Sequence, residues 1–140
     1  MNTAPDNLVT SPDTPKHGSV TVTEPIRISV SPSYIPEHSD PDAGRWIFAY
    51  KIEVTNDGEK AWTLRSRQWT IIDGDGEQHE VQGPGVVGLQ PRIEAGLTFS
   101  YSSFCPLSTT WGTMEGSFRF VDDEGSELIA RIDRFFLAID

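Results

Sequence analysis

Gly83-Pro84-Gly85-Val86-Val87-Gly88-Leu89-Gln90-Pro91-Arg92-Ile93-Glu94-Ala95-Gly96-Leu97-Thr98-Phe99-Ser100-Tyr101 is the stretch that decides the fold. Its glycines at 83, 85 and 88 have the spacing of a nucleotide-binding loop. In a dinucleotide fold that spacing works because a strand runs into a helix, whose unpaired N–H groups and positive end hold the pyrophosphate. No helical pattern follows here. Residues 90–96 read as a turn bounded by Pro91 and Gly96, and residues 97–101 alternate apolar and polar side chains as a strand does. The glycines lie among strands.

The same alternation continues on both sides. Val20 and Val22 alternate with Thr21 and Thr23, and after Pro25 the pattern resumes in Ile26, Ile28 and Val30. Pro25 cannot donate a ladder hydrogen bond, so this first stretch belongs on an edge or changes partner there. A Pro/Asp-rich loop is predicted over residues 31–44. Trp46, Phe48, Tyr50, Ile52 and Val54 then form the clearest strand, ended by Asn56-Asp57-Gly58 with the chemistry of a hairpin turn. In the next segment Trp62 and Leu64 fall on even positions but Trp69 and Ile71 on odd ones. A regular strand cannot bury both pairs, and one extra residue near 65–68, a β-bulge, repairs the register. Asp73-Gly74-Asp75-Gly76 turns into a polar strand over residues 77–82. Further strands are predicted at residues 97–104, 113–121 and 127–133, with a last pairing at 135–139. About seven short strands separated by turn signals indicate an all-β fold, an antiparallel β-sandwich.

Composition narrows the function. A chain of 140 residues is long enough for one domain with its own core. Residues 1–18 read as a disordered or loosely attached tail, leaving 19–140 as the single domain. The net charge of −10 and pI near 4.6 repel phosphate backbones and anionic membranes, so no nucleic-acid partner is expected. No apolar run reaches the length of a membrane span. One cysteine, Cys105, cannot form an internal disulfide; it fits a cytoplasmic chain and reads as a small buried hydrophobe.

The chemistry-bearing residues form no catalytic pattern. His17, His38 and His79 are scattered, and adjacent His79 and Glu80 point to opposite faces of a strand. Asp73, Asp75 and Glu77 resemble the start of a calcium loop, but Pro84 stands where the closing Glu belongs, and a hairpin turn is the simpler reading. The serines lack a nucleophile elbow. No metal, cofactor or catalytic residue is assigned, and the chain reads as a non-enzyme. Two readings of the glycine loop remain. In one, the N–H groups around Gly83, Gly85 and Gly88 converge as an anion or phosphate nest closed by Arg67 or Arg92. In the other, the glycines supply positive φ in a connection that Val86 and Val87 anchor to the core.

Three strings resemble the ApaG family, also called CorD: Ser66-Arg67-Gln68-Trp69-Thr70-Ile71-Ile72-Asp73, then Gly83 to Pro91, then Cys105-Pro106-Leu107 with Gly112-Thr113-Met114-Glu115-Gly116-Ser117. The resemblance runs from about Val30 to the C-terminus. The family's usual His after Ser-Arg is Gln68 here, and its usual Glu after Gly-Val-Val-Gly is Leu89. The resemblance implies a fibronectin type III-like, immunoglobulin-like sandwich. It also implies a bacterial interaction module linked to cobalt and magnesium resistance or efflux through protein partners; related domains occur in eukaryotic F-box and polymerase-interacting proteins. The alternative is a phosphate-containing small ligand, a nucleotide or pyrophosphate, at the glycine loop. A long exposed first strand over residues 20–30 also predicts a homodimer, since such edges tend to pair.

Overall fold

A computed structural model describes residues 14–140. The tail expected over residues 1–18 therefore falls mostly outside the described residues. Its described end, residues 14–18, is docked: the Gly18 N–H bonds Pro15 O at 2.9 Å, and His17 O accepts the Phe136 N–H at 2.8 Å.

Two antiparallel sheets face one another, as the alternation requires. One contains β1 (Ser19–Thr23), β2 (Ile26–Tyr34), β3 (Trp46–Asn56) and β7 (Thr98–Leu107), in that spatial order. The other runs β5 (Gln78–Pro84), β4 (Trp62–Asp73), β8 (Trp111–Asp122), β9 (Glu127–Ala138), and the short β6 (Arg92–Ile93) also pairs with β4. That makes nine strands where about seven are predicted, because the first stretch divides and β6 is too short for a period to register.

Phe48, Ile52, Leu64, Phe118, Phe120 and Phe135 are fully buried between the sheets. Each such side chain contributes roughly 1.5–3 kcal/mol by leaving water. Trp69 sits at the centre of an aromatic group, with ring centroids 5.8 Å from Tyr50 and Phe135 and 6.0 Å from Phe118. Edge-to-face contacts of this kind favour one packing over others.

The predicted bulge lies between Leu64 and Ser66 on β4. It has a consequence for function: past it, odd-numbered side chains face inward, so Arg67 shares a face with Trp69. A second register shift, between Met114 and Gly116 opposite β9, lets Ile132 and Phe135 both be buried. Residues 127–133 and 135–139 are therefore one bulged strand.

Three local expectations are corrected. Residues 20–30 are not one long edge: Thr23 pairs with Ile26 around a cis Glu24–Pro25 bond, and the stretch is a hairpin of β1 and β2. The structural motive for a dimer through that strand is thereby lost. The loop expected from residue 31 begins later, since β2 continues to Tyr34; Pro32 is tolerated because β1 has ended opposite Val30 and that side of β2 needs no donor. Asn56 does not open a hairpin, since β3 and β4 lie in different sheets. It is fully buried, donates Nδ2 to Lys60 O at 2.8 Å and Ile93 O at 2.9 Å, and accepts the Gly58 N–H. It pins both passages between the sheets.

Candidate functional site: an open seam of the sandwich

A two-sheet sandwich has two seams, one along each pair of outer strands. Along β1 and β9 the seam is closed. Asp133 N donates to Thr21 Oγ1 at 2.8 Å, Arg131 N to Thr23 Oγ1 at 3.2 Å, and Ser19 Oγ to Asp133 O at 2.9 Å. Along β5 and β7 no strand-to-strand bond joins the sheets among the described residues, since β5 pairs with β4 and β7 with β3; only at the seam's end does Thr109 Oγ1 accept the Gly74 N–H, at 2.8 Å. β5 is polar, as predicted, and exposed along nearly its whole length.

A cavity of about 420 Å³ lies in this open seam. Its floor is Tyr50, Trp69, Cys105, Leu107 and Met114, its lip on β5 is His79 and Val81, and Phe104 borders it at the β7 edge with its ring on the outer face of that strand, 6.3 Å from the ring of His38. Phe104 is 60% exposed, an unusual state for a phenylalanine, and Val81 is 37% exposed. A smaller cavity of about 200 Å³ continues past Arg67 to Tyr101, Val87 and Gly88. The volume and the few converging polar groups are those of a small-ligand site.

Arg67 sits between the two cavities. It is half-buried, and no carboxylate lies within ion-pair distance of it among the described residues, whereas Arg27, Arg92, Arg119, Arg131 and Arg134 all have one. Arg45 and Arg65 also lack an acid but are exposed. Nη1 of Arg67 donates to Pro84 O and Gly85 O, both at 3.0 Å. Gly83 leaves room for this: a Cβ there would lie 2.9 Å from Nη2. Tyr50 and Tyr101 face Arg67 with phenols that burial holds above their ordinary range, so both remain hydroxyl donors at neutral pH. Burial likewise pushes the Cys105 thiol up to about 11, which keeps it an un-ionised hydrophobe.

The glycine loop spends part of its donors on its own turn. Val86 and Leu89 exchange both backbone hydrogen bonds at 2.8 Å, with Val87 (φ 43) and Gly88 (φ 81) between them, a type I′ turn. The Gly85 N–H goes to Arg65 O at 2.7 Å. Three of the loop's donors thus serve the protein's own carbonyls. Gly85, at φ 60, admits no side chain, because a Cβ would sit 2.1 Å from Leu89 O. Val86 anchors the loop to the core as expected, but Val87 does not: it is 53% exposed. Of the five residues assigned to an anion site, the fold brings Arg67 to Gly83 and Gly85, while Gly88 lines the neighbouring cavity. Arg92 is elsewhere, on β6, ion-paired with Asp123 and Glu94.

Asp73 caps its turn, its Oδ1 accepting the N–H groups of Asp75 and Glu77 at 2.9 and 3.0 Å. Glu80 faces outward to Gln68 and Thr70, opposite to His79, as the alternation predicts. Asp73, Glu77 and His79 bring ligand atoms within 4.8 Å of one another, a grouping the sequence reading does not assemble. Its signal was present, since residues 77 and 79 share a strand face. None of the three histidines bonds a serine, threonine or cysteine side chain among the described residues; His17 meets Asp140 and His79 approaches Glu77. No helix among the described residues is long and apolar enough to cross a membrane.

Comparison with known proteins agrees with the three motif strings. The family model described as the ApaG domain matches residues 36–122. Protein ApaG of Bdellovibrio bacteriovorus is 46% identical over 112 residues, covering 80% of this chain and 88% of that protein. Protein ApaG of Thiobacillus denitrificans is 48% identical over 114 residues, covering 81% and 90%. The crystal structure of an ApaA protein from Bordetella pertussis superposes with a TM-score of 0.78 at 41% identity, covering 91% of this chain and 98% of that one. The C-terminal domain of wzt, at 12% identity and a TM-score of 0.53, shares the fold.

Proposed function

We propose that this chain, which belongs to the ApaG family, is a non-enzymatic binding module that engages its partner at the open seam. The observation that supports this reading is the asymmetry of the sandwich. One seam is closed by side chains of β1, and the other leaves two strand edges and an exposed Phe104 beside an apolar cleft. Exposed apolar surface beside free strand edges is the usual ground for docking an extended segment of another protein. Cys105 is held un-ionised, and no histidine is engaged with a nucleophile among the described residues. Catalysis is therefore the weaker reading.

The family resemblance carries the physiological setting, cobalt and magnesium resistance or efflux in the cytoplasm, with the module acting through a protein partner rather than by holding the metal. A homodimer is one form such a partner takes, and the surface it would use is the β5–β7 side. The test is a pull-down with the full chain and with Phe104→Asp, in cells whose cobalt tolerance is measured in parallel. The reading predicts specific partners and restored tolerance with the wild-type chain, and loss of both with the folded variant. Partners and tolerance unaffected by Phe104→Asp, or measurable turnover of a small molecule, would contradict it.

A further inference from the structure

We infer that the open seam also holds a small monocarboxylate with an apolar body, its single charge received by Arg67. The inference rests on the open-seam reading and goes beyond it in naming a ligand class.

The first observation is Arg67 itself. In a chain of net charge −10, a half-buried arginine facing the sandwich interior has no acid near it among the described residues. Partial burial of a guanidinium is unfavourable unless its charge meets an anion. Two carbonyls hold its Nη1, which fixes the planar fork while adding no negative charge. The bulge after Leu64 is what turns this residue inward, and Gly83 is what leaves space for it.

The second observation is the shape and lining of the cleft. From Arg67 and Ser103 it runs over Trp69, Cys105 and Met114 to Leu107, an apolar floor of about drug-ligand volume. Ser103 lies opposite Tyr50 in the β3–β7 register, so a hydroxyl and a phenol stand beside the guanidinium. A bidentate arginine with hydroxyl donors at one end and aromatic and thioether surface along the rest is complementary to one carboxylate attached to a hydrocarbon or aryl group.

Charge separates this class from phosphates. One arginine balances one negative charge. Asp73 lines the far end of the same cleft and disfavours a second. Three of the loop's backbone donors are engaged: Gly85 N–H on Arg65 O, Val86 and Leu89 on each other. A dianion in the cleft would therefore meet a single guanidinium and one repelling carboxylate.

The test titrates the full chain with 3-phenylpropionate, hexanoate and indole-3-acetate, with the matching primary amides, and with inorganic pyrophosphate. It uses calorimetry together with amide chemical shifts. The expected result is saturable binding of at least one acid with Kd below about 1 mM. Shifts should centre on Trp69, Ser103 and Cys105. The matching amide should bind about tenfold or more weakly, and Arg67→Gln should impose a similar loss, with Arg67→Lys losing less. Thermal unfolding of each variant confirms that it is folded, and Arg27→Gln, on the outer face of β2, should bind as wild type. Equal affinity for acid and amide, no effect of Arg67→Gln, tighter binding of pyrophosphate, or no binding by any acid would overturn the inference. If partner capture still depends on Phe104 while every acid fails, only the ligand class falls; loss of both removes the open-seam reading itself.

Discussion

The two seams of this sandwich solve the same problem in opposite ways. Each sheet ends in a strand whose outer N–H and C=O groups need partners or water. On the β1–β9 side, short hydroxyl side chains reach across and satisfy β9: Thr21 and Thr23 take the amides of Asp133 and Arg131. On the β5–β7 side the edges are left to solvent: Val81 and the Tyr50–Trp69 surface lie between them, and Phe104 is exposed on the outer face of the β7 edge. The difference teaches that openness here is local. The chain has the means to close a seam and uses them on one side only.

The largest expected contrast is in the side chains near each seam. Phe135, on β9, is fully buried against Tyr50 and Trp69, so Phe135→Ala should cost about 3–5 kcal/mol in denaturant unfolding. Phe104→Ala, on β7, should change stability by less than about 0.5 kcal/mol. Comparable losses at both positions would mean that the open seam is packed in solution.

The hydroxyl clasp is the next target. The double variant Thr21→Val, Thr23→Val removes two acceptors at part-exposed positions and should cost roughly 1–2 kcal/mol in all. Amide exchange at Arg131 and Asp133 should accelerate. Serine-to-alanine changes at Ser100 and Ser102, on the free edge, should leave both stability and exchange nearly unchanged.

A smaller effect of opposite sign is expected at the end of the open seam. Val87 holds φ 43 in an exposed turn, a conformation disfavoured for a β-branched residue and well suited to Asn. Val87→Asn should stabilise by about 1 kcal/mol in the same unfolding measurement. Destabilisation would show that Val87 makes contacts worth more than its strain.

The smallest effect distinguishes two similar turns. Asp73 caps the β4–β5 turn and Asp122 the β8–β9 turn in the same manner, each through Oδ1, but only Asp122 has a lysine, with Lys60 Nζ 2.8 Å from Oδ2. The Lys60 hydrogen bond, helped by the Ser126 and Glu124 amides, lowers the Asp122 pKa. A depressed folded-state value contributes stability that is present above the unfolded value, about 4, and is lost as pH falls through the lowered one. Asp122→Asn keeps the cap and loses the charge. Its stability relative to wild type should be lower at neutral pH, with the gap narrowing below about pH 4. A pH-independent gap would mean that the Asp122 charge is not its source.

How much of this was legible in sequence depends on whether a residue acts through its strand or across strands. Period-two alternation revealed β3 and the parity change at Trp62 and Trp69 revealed the β4 bulge, because both are properties of one strand. The same parity test on Ile132 and Phe135 exposes the β9 bulge. Asn56 could not be read correctly: Asn-Asp-Gly is turn chemistry whether the chain returns to its own sheet or crosses to the other, and only the strand order decides. The glycine loop was similar. Its spacing showed that glycine was needed, while the reasons, an arginine lying over Gly83 and Leu89 O pressing on Gly85, are contacts between distant segments. Arg67 is legible as an anion ligand, but its place in an inter-sheet cleft depends on the open seam, which no single strand encodes.

The account stands on the claim that the β5–β7 seam is where this protein binds. A photo-crosslinking amino acid at position 104, in the full chain and in living cells, tests this most directly, with position 22 on β1 as its counterpart. Val22 is 53% exposed, close to Phe104 in accessibility, so exposure alone does not favour one site. The account predicts discrete adducts from position 104 and none from position 22. Adducts from position 22 with none from position 104 would contradict it.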